Sequence, residues 1–219
     1  MKLLSKIQEM LERTYDVETA YNVHDFLTTD KALVNALSHT QAADVPERLL
    51  IVENDDGVDV ALYLDESVLG VLERHDPIKS LHDGNLDAFW TVLEGVSHFL
   101  FFAWNAGFDR EVRLLEMELQ AEIDKFVSAI LLAGRQRQNR TPAALHEWLF
   151  DKHRFYGHLD ARELERYQRA NRYAGMYCMT LQSRYLDGRL APGLMTELRR
   201  FYRLSHHRKI RHIESCHAV

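Results

Sequence analysis

The chain has 219 residues, 46% of them hydrophobic and 27% charged, which supports a sizeable buried core and argues against wholesale disorder. Its net charge of −6 divides sharply: residues 1–124 hold 9 Lys+Arg against 25 Asp+Glu, and residues 125–219 hold 18 against 8. Two cysteines far apart, Cys178 and Cys216, imply no disulfide framework and fit a reducing compartment. No window joins about 20 apolar residues without a charge, so a soluble cytoplasmic protein with no membrane association is expected.

In chain order, "MKLLSKIQEMLERTY" is amphipathic and reads as a first helix rather than a signal peptide, since Lys6, Glu9 and Glu12 interrupt its apolar positions. Alternation of Val17, Thr19, Tyr21 and Val23 before Phe26 predicts a strand. Asp30 offers an N-cap for a helix through "KALVNALSH". The run "RLLIVENDDGVDVALYLD" places Asp56-Gly57 between two β-rich segments, the signature of an antiparallel hairpin near 49–64.

From Glu66 onward the pattern is helical. Asp76-Pro77 predicts the start of a short helix, and Asn85 the N-cap of a long one that runs to Gly107. A further helix through "REVRLLEMELQAEIDKFVSAILLA" is expected to stop at Gly134, before the arginine-rich "GRQRQNR". Thr141-Pro142 opens another. Asp160 with Glu163 forms a capping-box pattern for a long helix ending at Asp187-Gly188, and a single helix over "LMTELRRFYRLSHHRKIRHIES" closes the chain. The expected fold is therefore α+β and predominantly helical. One domain over 1–219 carries a small N-terminal antiparallel sheet followed by a bundle of longer helices, with its acidic half 1–124 packed against its basic half 125–219.

The helix around "TVLEGVSHFLFFAW" raises the question of function. Phe89, Val92, Leu93, Val96, Phe99, Leu100 and Ala103 fill one face, while Glu94, His98 and Asn105 fall on the other, flanked by Trp90 and Phe101. An interior carboxylate needs a cation, a proton or hydrogen-bond donors beside it. Glutamate and histidine four apart on a helix can share one metal ion, and Glu118 with Glu122 offer two more ligands from the next helix. Such a set suits zinc, manganese or iron. The same residues equally describe an internal ion pair, of Glu94 with His98 or with an arginine, and Arg172 is a candidate donor to Glu94 or to an anionic substrate.

Two other surfaces stand out. Leu164, Tyr167, Asn171, Ala174, Cys178, Leu181 and Tyr185 follow a 3-4 spacing that lines one helix face, either for intramolecular packing or for a protein partner or second copy through residues 164–185. Arg199, Arg200, Arg203, His206, His207, Arg208, Lys209 and Arg211 gather near the C-terminus, as a solvated complement to the acidic half or as a phosphate-binding face for nucleic acid. His212 shares a face with Leu198 and Phe201 and reads as packed. No G-x-S-x-G, Walker A or G-x-G-x-x-G motif occurs, nor HExxH or Cys-x-x-Cys. The expectation is a binding or regulatory protein, with a metal-dependent hydrolase in which Glu94, His98 and Glu122 hold a metal and Arg172 orients an anionic group as the enzyme alternative, and nucleic-acid binding as the third.

Overall fold

The computed structural model describes residues 2–37, 45–55, 57–136, 142–151, 160–186 and 193–217. The expectations at Asp56, at 137–141 and at Asp187-Gly188 lie outside them. Among the described residues the fold is predominantly helical with one three-stranded sheet, an α+β arrangement.

Helix α1, Lys2–Tyr15, buries Leu4, Ile7, Met10, Leu11 and Tyr15. Two guanidinium groups from the far end of the chain satisfy the carbonyls at its C-terminus. Arg199 donates to Arg13 O and Thr14 O, and Arg203 to Tyr15 O and Asp16 O. Of the stretch 16–30 read as a strand, only Leu27–Thr28 is one, and the alternating part from Val17 to Val23 is not. The Gln8 side chain holds it instead, accepting from Val23 N at 2.8 Å and donating to Tyr21 O at 2.8 Å, and a 3-10 turn follows at Val23–Phe26. Local β-propensity loses here to a tether from the preceding helix.

The sheet consists of β1, Leu27–Thr28, β2, Glu47–Asn54, and β3, Gly57–Leu64, in the order β1-β3-β2. The hairpin of β2 and β3 is antiparallel as expected, but β1 pairs with β3 in parallel, so the sheet is mixed. Gly57 opposes Asn54 as the first residue of β3 with φ +147°, a region that side chains rarely adopt. A Cβ there would meet nothing within 4 Å, so the constraint is purely conformational. Gly57→Val should cost about 1–3 kcal/mol in equilibrium denaturation; unchanged stability would mean that the hairpin tolerates a different turn. Between β1 and β2, α2, Lys31–Leu37, begins on the expected cap: Asp30 Oδ1 accepts from Ala32 N and Leu33 N.

Helix α3, Glu66–Arg74, is capped by Asp65. Asp76-Pro77 then makes a turn, not a helix, because the Asp76 side chain accepts from Ile78 N and its carbonyl accepts from Lys79 N and Ser80 N. Helix α4, Asp83–Ala106, starts from His82 rather than Asn85. Asn85 occupies the third helical position, accepts from His82 N, and donates to His75 O and Ser80 O, binding the helix start to the preceding loop. Gly107 follows its end as expected. By length and composition α4 could cross a membrane, and 67% of its apolar window is buried inside the protein.

Helix α5, Leu114–Arg135, lies at the centre, with every residue from Glu116 to Ala129 buried. It overruns Gly134, because the Gln136 side chain anchors its end by accepting from Leu81 N and donating to Pro77 O and Ile78 O. After α6, Pro142–His146, and a π-helical turn at Glu147–Asp151, helix α7 spans Ala161–Leu181 on the expected capping box of Asp160 and Glu163. It packs along α5 and buries Ala174, Cys178 and Leu181 of its 3-4 seam. The closing helix is broken in two: α8, Leu194–Tyr202, and α9, His206–His217, meet at Arg203–Ser205, where Arg203 turns toward α1. One contiguous core runs from Leu4 of α1 to Ile213 of α9.

Candidate metal centre

Although α5 is buried all round, half of its central residues are polar. They form two rows, Glu118-Glu122-Lys125 and Glu116-Gln120-Asp124, whose positions three or four apart share a helix face. Each row must find partners on neighbouring elements, since an unpaired buried charge costs several kcal/mol.

The first row faces Glu94 and His98 of α4. His98 is buried, its side chain 7% exposed, with Nδ1 3.6 Å from Glu47 Oε1 and Nε2 3.4 Å from Glu118 Oε2. Glu47, the first residue of β2, reaches His98 because Gly95 lets the sheet approach α4. A Cβ at that position would lie 2.8 Å from Leu62 Cδ1 and 2.9 Å from Glu47 Cγ. Both imidazole contacts exceed the usual hydrogen-bond length of about 2.7–3.2 Å. Of the six buried side-chain nitrogens and oxygens without a hydrogen-bond partner among the described residues, four stand in this cluster: Glu47 Oε1, His98 Nε2, Glu122 Oε2 and Arg166 Nε. Buried polar atoms are nearly always satisfied, so this concentration is informative.

Glu94 is the most exposed acid of the group, with 20% of its side chain accessible. Lys125 Nζ holds it at 2.7 Å and Glu122 Oε1 at 2.8 Å. Glu118 carries a second neighbour in Arg166 of α7, whose Nε lies 3.7 Å from Oε1. One ligand atom each from Glu94, His98 and Glu118 come within 4.8 Å of one another.

Electrostatics follow from this packing. Burial opposes a charged imidazole, yet Glu118 and then Glu47 outweigh it and hold the His98 pKa well above its ordinary value. Burial pushes the Glu47 carboxyl up, His98 offsets part of that, and Glu94 and Glu118 add to the rise. Tyr167 of α7, whose ring centre lies 5.4 Å from the Arg166 guanidinium carbon, has its phenol pKa raised by burial first and then by the fields of Glu118, Glu94 and Glu47.

Of the residues singled out from sequence, Glu94, His98 and Glu118 come together. Glu122 is turned to Lys125. Glu94 pairs with Lys125, and Arg172 is exposed, its guanidinium 5.9 Å from the Tyr173 ring centre. Asn105 also leaves the stripe, donating to Phe101 O at 2.7 Å. Glu47, Lys125 and Arg166 escaped the sequence reading, and Tyr167 was picked out only for the seam of α7. For Lys125 a signal existed: it lies three residues after Glu122, on the same helix face.

The second row closes a separate network. Asp124 accepts from Tyr15 Oη, from Ser97 Oγ at 2.6 Å and from Gln120 Nε2 at 2.9 Å. Lys209 of α9, expected on a basic surface, is fully buried, 3.1 Å from Gln120 Oε1 and 3.6 Å from Glu116 Oε1, with its ammonium 4.3 Å from the Phe101 ring centre. With Arg199 and Arg203 bound to α1, three members of the C-terminal basic set therefore serve internal contacts. His212 is packed as expected, 2.6 Å from Glu197 Oε1. Cys178 is buried, its thiol pKa pushed up by burial. A groove of 210 Å³ between α1, α5 and α8, floored by Met10, Ile78 and Leu132, shares no residue with either network.

Comparison of the chain with protein-family models, curated proteins and solved structures finds no match.

Proposed function

We propose that this protein binds one divalent transition metal ion through Glu94, His98 Nε2 and Glu118. The observation that carries the reading is His98 Nε2, buried and without a hydrogen-bond partner, at ligand spacing from two carboxylates of neighbouring helices. Two ligand atoms on a tetrahedral ion, each about 2.0–2.2 Å from it, stand about 3.4 Å apart, which matches the 3.4 Å between His98 Nε2 and Glu118 Oε2. Glu47 on the opposite nitrogen supplies the carboxylate that commonly orients a metal-binding histidine. Charge agrees as well: Glu47, Glu94, Glu118 and Glu122 crowd one largely buried site, where among the described residues Lys125 and Arg166 pair with them, an acidic setting that favours a divalent cation.

One nitrogen with two carboxylate oxygens suits zinc, manganese or iron. Three protein ligands leave a fourth position of a tetrahedral ion to an exogenous oxygen, the plan of sites where a metal polarises water or a carbonyl. A metal-dependent hydrolase is the enzyme class that plan fits. A second reading is favoured by the two carboxylates facing His98: an ion network closed by a protonated imidazole, in which the cluster only holds α4, α5 and β2 together.

Elemental analysis of protein purified without chelator separates the two. One equivalent of metal is expected, lost in Glu118→Gln and His98→Gln and kept in Glu122→Gln, with far-UV circular dichroism reporting that each variant folds. Folded wild-type protein that takes up no metal on dialysis against zinc, manganese or iron(II) would leave the ion network as the account of the cluster.

A further inference from the structure

Two consecutive residues of α7 that the ligand set does not use stand beside it: Arg166 against Glu118, and Tyr167 with its ring centre 5.4 Å from the Arg166 guanidinium carbon. Arg166 Nε is a buried atom with no hydrogen-bond partner, 3.7 Å from Glu118 Oε1, a distance that balances charge without using a donor. Arg166 keeps 23% of its side chain accessible, as Glu94 keeps 20%, whereas Glu118 keeps 8% and His98 7%. The cluster therefore opens toward solvent along Glu94 and Arg166. Tyr167 adds a phenol ring next to the Arg166 guanidinium.

Resting on the metal reading, we infer that the exogenous ligand of this centre is a small oxyanion, a phosphate or carboxylate group, bound through one oxygen to the metal and through another to the Arg166 guanidinium. Arginine is suited to this role, since its planar donors match the oxygens of either group and its charge is permanent. The same charge balance makes the interaction conditional. Without metal the four carboxylates crowd the site and disfavour an anion. A divalent ion offsets them, and the open coordination position attracts an oxygen donor. Anion binding should thus depend on metal. It should also depend on Arg166 and not on Arg172, which lies away from the cluster beside Tyr173.

The test uses the full chain loaded with one equivalent of Co2+, whose visible absorption reports its ligands, and titrates inorganic phosphate while cobalt content is checked after gel filtration. A saturable spectral change is expected, with no phosphate binding to metal-free protein by calorimetry. Arg166→Gln should still bind one Co2+ but weaken phosphate on the order of tenfold or more, while Arg172→Gln should match the wild type. Failure to bind Co2+ overturns the metal reading, and this inference with it. Bound Co2+ whose spectrum ignores phosphate overturns the oxyanion alone and leaves the metal site standing. A phosphate response unchanged in Arg166→Gln overturns the role assigned to Arg166.

Discussion

Lys125→Ala should cost about 3–5 kcal/mol of folding free energy, because it removes a buried cation bound to two carboxylates. The Lys125 ammonium is 6% exposed and lies between Glu94 at 2.7 Å and Glu122 at 2.8 Å. Burial alone would lower its pKa, but Glu122 and then Glu94 raise it above the ordinary lysine value. By linkage, a base whose folded pKa is raised stabilises the protein fully below its unfolded pKa and loses that contribution as pH rises from there through the folded one. The pair is therefore intact across neutral pH. A triple variant, Lys125→Met with Glu94→Gln and Glu122→Gln, should recover most of the loss by removing all three charges together. Urea denaturation measures both, and a loss below about 1 kcal/mol in Lys125→Ala would mean that solvent screens the pair.

Lys209→Met should abolish a rise in stability that the wild type shows between about pH 8 and 10.5. Burial lowers the Lys209 pKa from 10.5 to about 8, while Glu116 and Asp124 pull it back up and Arg110 lowers it further. A base with a depressed folded pKa contributes stability above its unfolded pKa and loses it as pH falls through the folded one. Neutral Lys209 is thus the form the interior prefers. At about 1.4 kcal/mol per pH unit, the difference in stability between wild type and Lys209→Met should shift by about 3 kcal/mol over that window. Titrations common to both chains, the buried tyrosines included, largely cancel in the difference. Asp124 works in the opposite sense: burial raises it to about 6 against hydrogen bonds from Ser97, Tyr15 and Gln120, so its contribution is lost as pH rises through about 6. Parallel stability curves for the two chains above pH 8 would contradict the burial of Lys209.

What the sequence disclosed depended on how local the cause was. Asp30, the Asp160–Glu163 box and the hairpin at Gly57 were legible because caps and turns are decided within a few residues. The expected strand failed from Val17 to Val23 because Gln8, in another element, satisfies that backbone. The break between α8 and α9 was hidden within a continuous helical periodicity, since its structural partner is the C-terminus of α1, more than 180 residues earlier.

The site divides along the same line. Glu94, His98 and Glu118 carry helical spacing and could be picked out, while Glu47 arrives from a strand through the gap at Gly95, and Arg166 from a helix that no local pattern docks there. Arg172, the arginine chosen from sequence, stands six residues beyond Arg166 and so about 240° further round α7. Lys209 looked like one more surface cation because nothing near it in the chain marks burial; its acids, Glu116 and Asp124, belong to a helix some 90 residues away.

The most direct measurement of the central claim is X-ray absorption at the metal edge of protein loaded with one equivalent of zinc. The first shell should hold one imidazole nitrogen with oxygens at about 2.0–2.2 Å. That imidazole signal should vanish in His98→Gln. A first shell of oxygen alone, or an imidazole signal that persists in His98→Gln, would contradict it and place the metal away from Glu94, His98 and Glu118.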